Sequence, residues 1–354
     1  MTASMFVSSS DENVQSLPLN AYPPKQYIVG PFFDLLFVCG GFTVLLSLLY
    51  FWPPLRSMLG PSVDEFSASL LFAGTYLLSQ PHLGASLRRL YGEPENLAKH
   101  RHVALALPVV MLVSVLVAFR LLGPKVTMEA LNSVYLILIV HHVLAQSYGI
   151  ALMYCGRSAF VMRADEKQLF KDILYLAVAV AVVAGLHLPF VFLQIAIAAL
   201  LVLVLCFFNA QLRRAALGEV TMPLPAVAVM LVSLVALILS QAVDNSFWIF
   251  VPAFFHASQY LAVVVAYRWK DYRLSQAASE KKLKPVIAFA GAELHRDFLV
   301  GLTLSVAIPC AFFFIGMRDI DPFKLMFLLV SLHHFATDAC LWKLRQPRVQ
   351  ERLV

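Results

Sequence analysis

Charge is what this 354-residue chain has least of. Asp, Glu, Lys and Arg make up 14% of it, against about 25% in a soluble domain. Hydrophobic residues reach 60% and the mean hydropathy is +0.77. That balance excludes a water-soluble globular domain and predicts an all-α, polytopic integral membrane helix bundle. Cysteine is also scarce. The five, Cys39, Cys155, Cys206, Cys310 and Cys340, lie in or beside apolar runs without any CxxC spacing. Neither a disulfide framework nor a thiolate zinc site fits that pattern. No Gly-rich phosphate loop occurs, and no connection is long enough for a second domain. The Ser-rich, acidic start lacks a cationic stretch before an apolar one, and so is read as a polar tail and not a cleaved signal.

What the chain does have is long apolar runs. About 20 such residues cross roughly 30 Å of hydrocarbon. Ten candidates fall near 32–52, 66–88, 103–122, 129–154, 171–187, 189–210, 224–243, 246–268, 298–317 and 323–343. With a cytoplasmic N-terminus, the outward connections hold Arg56, Arg120, Lys125, Arg318 and Lys324, five of the 27 basic residues. The other 22 fall in the tails and inner connections, the positive-inside bias of a bundle with both ends in the cytoplasm. This bias accounts for the net charge of +6 without a nucleic-acid partner. The expected organisation is a polar tail over 1–27, one transmembrane domain over 28–345, and a cytoplasmic tail over 346–354. Inner loops at about 155–171 and 271–297 are expected to lie along lipid headgroups. A bacterial inner membrane is the expected location.

Ionisable groups are rare inside a bilayer, at roughly 2.5–3.5 kcal/mol each near its centre. Here six histidines fall inside the predicted spans: His82, His141, His142, His256, His333 and His334. They occupy four even-numbered spans, which all run from outside to inside and end at basic residues. Nine residues separate His334 from Lys343, about 13 Å of helix. Polar neighbours at helical spacing accompany them. His142 shares a face with Gln146, His256 with Gln259 and Tyr260, His334 with Asp338, His333 with Thr337, and His82 with Ser86. In each HH pair the rings point about 100° apart, so one of the two faces the centre. Tyr148 lies near the first pair. His187, near an outer boundary, reads as an interhelical hydrogen-bonding group, and His100 and His102 as headgroup contacts. Asp34 is expected at the cytoplasmic interface.

Imidazole ligates Fe, Cu and Zn, and carboxylate joins it in non-haem iron sites. His82, His141, His142, His256, His333 and His334 are therefore the candidate ligands of one or two metal ions. Asp338, Tyr148 and Tyr260 are candidate catalytic groups, and Gln146, Gln259 and Thr337 candidates for supporting the cofactor. The logic resembles that of integral-membrane fatty-acid desaturases and hydroxylases, whose HxxxH and HxxHH boxes hold two irons. Here the HH at 141 and 333 has no His three residues earlier. It also resembles the bacterial Brp/Blh carotene dioxygenases, in which single histidines from separate helices surround one iron. The local motifs of neither family recur, so no ligand role is carried over. The expectation is a non-haem iron oxidoreductase acting on a lipid or isoprenoid, with a cytoplasmic electron donor. A haem, copper or zinc centre, and a transporter relaying protons or ions through His and Asp, are the alternatives.

Overall fold

The computed structural model describes residues 26–186, 188–243, 246–277, 285–315, 321–344 and 346–353. His187, Asp244, Arg318, Arg345 and residues 1–25 lie outside these. Every regular element among the described residues is helical. Apart from the short helices Pro53–Leu59 and Pro94–Lys99 and a single turn at Gly60–Ser62, they are in chain order α1 (Pro31–Val38), α2 (Gly41–Phe51), α3 (Val63–Gly92), α4 (His102–Leu122), α5 (Pro124–Arg157) and α6 (Ala164–Gly185). Then follow α7 (Phe190–Ala216), α8 (Leu224–Ala242), α9 (Ser246–Ala277), α10 (Val286–Ala311), α11 (Pro322–Leu341) and α12 (Pro347–Leu353).

The helix starts follow local chemistry. Proline opens α1, α5 and α11, where its missing N–H costs nothing. Asp321 caps α11 by accepting from the N–H groups of Phe323 and Lys324, both at 3.0 Å. Glu166 reaches back to the Arg163 N–H at 2.8 Å to fix the start of α6.

Seven of these helices are long and apolar enough to cross a membrane, or eight if the bent pair α1–α2 is one span. This is a multi-pass membrane protein. The bend of 58° in the first span falls at Cys39–Gly40, where Gly40 adopts φ +85. α3 and α11 fall outside the seven although they coincide with predicted spans. Each carries polar residues in mid-helix, among them His82 and Ser86, or His333, His334 and Asp338. The outer faces are apolar. Only 6% of the apolar window of α4 is buried, which leaves that helix facing lipid.

The predicted inner loops are shorter than expected. α6 begins at Ala164 and α10 at Val286, so the segment 286–297 is helix, packed on α3. Small residues allow this packing. A Cβ on Gly84 would lie 1.9 Å from the Asp297 carbonyl oxygen, and one on Gly301 would lie 2.0 Å from that of Gln80. The two backbones therefore touch, the approach small residues permit within a bilayer. Asp297, fully buried at this seam, receives Arg88 at 2.6 Å and Arg268 at 2.5 Å. Glu293 takes second bonds from both guanidinium groups, at 3.1 and 3.4 Å. Asp34 lies against the basic end of α5. It is fully buried, accepting from Ile28, Val29 and Gly30 N–H groups and from Tyr154 Oη at 2.9 Å.

The main apolar core lies among α5, α6, α7 and α8, around Tyr154, Phe170, Phe207 and Met230. α5 and α9 join it to a second region formed with α3 and α11, and that region is polar.

Candidate metal centre

α3, α5, α9 and α11 run the same way. Their histidines meet at one level, and their C-terminal ends meet again below it. Arg89 of α3 stacks on Tyr267 of α9 and on Trp342, the residue after α11. Arg157, the last residue of α5, donates to the Leu353 carbonyl at 3.0 Å. Pro81 and Pro252 lie inside α3 and α9, one and four residues before their histidines. Each removes a helical N–H and so interrupts the ladder beside the site.

One histidine from each helix enters the centre. The rings of His82, His256, His142 and His334 form a closed cycle, with neighbouring centroids 4.7, 4.8, 5.0 and 4.5 Å apart. All four are buried, and one ring nitrogen from each lies within 4.8 Å of the other three. His82 Nε2 and His334 Nε2 are 2.7 Å apart, so one lone pair points at a proton held between them. A metal ion takes the same lone pairs from neutral rings. A tetrahedron of about 2.1 Å metal–nitrogen bonds has edges near 3.4 Å, within the spread seen here. His82 Nδ1, His142 Nε2, His256 Nδ1 and His334 Nδ1 have no hydrogen-bond partner among the described residues. Buried polar atoms are normally paired; for His82 and His334 the unpartnered nitrogen is the one opposite the Nε2 pair, so the case for an ion rests on the convergence of the four rings. This set can hold a metal ion.

Asp338 stands at the edge of the ring. Its Oδ2 lies 3.5 Å from His334 Nε2 and 3.8 Å from His142 Nε2. Its Oδ1 accepts from Ser86 Oγ at 2.6 Å and from Tyr260 Oη at 3.2 Å. Ser86 and Tyr260 also bond each other, and Trp342 Nε1 donates to Tyr260 Oη at 3.2 Å. The Tyr260 ring packs 4.0 Å from that of His82. One carboxylate oxygen is thus held by two neighbours, Ser86 and Tyr260, while the other is turned toward the nitrogen side of the ring.

The remaining candidates lie elsewhere. His141 is exposed and lines a cavity of about 140 Å³ with Tyr148 and Lys171. Tyr148 packs its ring on Phe170, 5.0 Å away. His333 donates Nε2 to the Val103 carbonyl at 3.0 Å, within the π-turn His102–Ala106 that opens α4. Tyr91 serves the next carbonyl of that turn, Ala104, at 2.6 Å. Thr337 bonds its own helix at the His333 carbonyl. Gln146 donates to the His256 carbonyl at 3.0 Å, and Gln259 donates to the Val38 carbonyl at 2.7 Å. The glutamines tie α9 to α5 and to α1, bonding these carbonyls, each other and, through Gln259 Oε1, the Ser147 hydroxyl. Sequence reasoning passed over Arg89 and Asp297, because both read as residues of a basic boundary or a loop.

Comparisons with protein families, with curated proteins and with solved structures found no match. The geometry is the ground on which function must be argued.

Proposed function

We propose that this protein is a membrane-embedded, histidine-ligated metalloenzyme, a non-haem iron oxidoreductase acting on a lipid or isoprenoid. The observation that carries the reading is the four-histidine ring, drawn from four helices and sealed from water. An all-imidazole set beside a carboxylate suits iron, copper or zinc; iron and copper both support O2 chemistry, and carboxylate joins imidazole in non-haem iron sites, which favours iron. The ion, when bound, would supply oxygen activation or polarisation of the substrate. His82, His142, His256 and His334 would hold it. Asp338 Oδ2, aimed at the same side, would bind it as a further ligand or take a proton beside it. Ser86 and Tyr260 hold that carboxylate in place, and burial keeps bulk water away.

On this reading the ten predicted spans put both chain ends in the cytoplasm, in a bacterial inner membrane. Substrate enters sideways from lipid and an electron donor docks on the cytoplasmic face. The test is to incubate iron-loaded protein in vesicles of membrane lipid extract, with air and a reductant. Lipid mass spectrometry should detect species gaining oxygen or losing two hydrogens, only when oxygen is present. An unchanged lipid profile with fully loaded protein, across isoprenoid and acyl substrates, would refute the oxidoreductase assignment.

A further inference from the structure

A cavity of about 1160 Å³ lies between α3, α4, α9, α10 and α11. It borders His333 but none of the four ring histidines. Small-molecule pockets are commonly about 300–1,000 Å³, so this one has room for a lipid. Its lining changes along its length. Away from Glu293, Thr303 and His333, the wall from α4, α10 and α11 is apolar, with Met111, Leu112, Leu304, Met326 and Leu329. The wall from the C-terminal ends of α3 and α9 is charged, with Arg88, Arg89, Glu93, Arg268 and Asp271. A charged inner end and an apolar run toward the bilayer is the shape of an amphiphile standing in the cytoplasmic leaflet.

The charges around that end leave one cation over. Arg88 and Arg268 are taken by Asp297 and Glu293. Glu93 and Asp271 are taken by Arg348, each at 3.2 Å, and Asp271 also by Arg352 at 3.2 Å. Arg89 has no carboxylate within ion-pairing distance among the described residues. It is 6% exposed, and its Nε and Nη1 are without hydrogen-bond partners. Its guanidinium lies 4.4 Å from the Tyr267 ring and 4.0 Å from the Trp342 ring, which fixes its orientation. Tyr267 lines the same cavity, is 3% exposed, and its Oη is likewise without a partner. Ring stacking does not satisfy N–H donors, and a buried charge without a counter-ion is costly. Two buried, unpartnered donors, one of them cationic, meet at the head end of a lipid-sized cavity.

We propose that this cavity binds an anionic amphiphile, with its carboxylate or phosphate head on Arg89 and Tyr267 and its chain along α4, α10 and α11. The inference is independent of the metal reading, since no ring histidine takes part. The test uses Trp342, which sits on Arg89. Full-length protein in phosphatidylcholine vesicles is titrated with brominated-chain phosphatidylglycerol, brominated oleate or brominated phosphatidylcholine. Bromine quenches nearby tryptophan, and comparison at equal bromine content isolates the contribution of the head. The two acidic probes should quench at mole fractions at least roughly tenfold below the zwitterionic one, as charge-assisted bonds imply. Whichever acidic probe saturates first identifies a phospholipid or a free fatty acid as the occupant. Arg89→Gln should abolish the preference, and Tyr267→Phe should weaken it several-fold. Metal content should stay at the wild-type level in Tyr267→Phe, which separates failure here from failure of the metal centre. Tyr267→Phe removes a single oxygen and keeps the test alive if Arg89→Gln does not fold. Equal quenching by acidic and zwitterionic probes in the wild type would overturn the proposal. So would a preference unchanged in both variants, or displacement of the acidic probes by inorganic phosphate alone.

Discussion

Asp338→Asn isolates the charge of one carboxylate at nearly constant shape. In the wild type, Oδ1 is held by Ser86 and Tyr260, and Oδ2 lies 3.5 Å from His334 Nε2. Asparagine keeps an acceptor oxygen for Ser86, but it loses the negative charge and turns an NH2 toward the imidazoles. A carboxylate and a divalent ion about 4 Å apart interact by about 8 kcal/mol at an effective dielectric near 20, which sets a ceiling on the loss. Loss of a group supporting a metal site usually costs roughly 10–100-fold in affinity, or about 1.4–2.7 kcal/mol. Metal affinity should therefore fall within that range, measured by competition with a chelator of known affinity in detergent. His334→Ala, which removes a donor outright, should fall further. If Asp338→Asn binds metal and turns over as the wild type does while His334→Ala loses both, the carboxylate belongs to helix packing and the argument for its role fails.

Other predictions follow from the packing. Gly84→Val would drive a side chain into the Asp297 carbonyl. Overpacking of this kind costs about 1–3 kcal/mol or more, and should lower the midpoint of thermal unfolding in detergent; an unchanged midpoint would contradict the backbone contact of α3 and α10. Asp297→Asn leaves Arg88 and Arg268 sharing Glu293 alone. It should destabilise by about 3 kcal/mol, read by denaturant or thermal unfolding, while metal content holds; wild-type stability would show that the seam does not depend on the ion network. Reporter fusions after residue 354 and within 278–284 should report the cytoplasmic side, as the 22-to-five division of basic residues requires. An external signal from the 278–284 fusion would overturn the topology.

The site was legible in the sequence to the level of the helix and no further. Intramembrane imidazoles are costly enough that six on four spans announce a function, and the structure does bring those four helices together. Which member of each pair turns inward was not legible. His142 enters the ring while His141 is exposed, and His334 enters while His333 serves a backbone carbonyl. Adjacent helical residues differ by about 100°, and the rotation of each helix is set by packing that one sequence does not disclose. The pairing of Ser86 with Asp338 crosses 252 residues, so helical spacing within α3 showed only that Ser86 lies beside His82. Hydropathy also hid α10. Its start, with Glu293, His295, Arg296 and Asp297, reads as a polar loop, whereas the structure matches Glu293 and Asp297 with arginines on α3 and α9. The polar residues that bring α3 and α11 to the histidine cluster are also what lowers their apolarity as spans.

Metal stoichiometry tests the central claim most directly, provided that neighbours serve as controls. Elemental analysis of purified, metal-reconstituted protein should find a transition metal, iron on the present account, bound stoichiometrically by the wild type. His82→Ala, His142→Ala, His256→Ala and His334→Ala should each lose most of it, while His141→Ala and His333→Ala keep it. Substoichiometric metal in the reconstituted wild type, or equal loss in the ring variants and the two neighbours, would contradict a four-histidine centre.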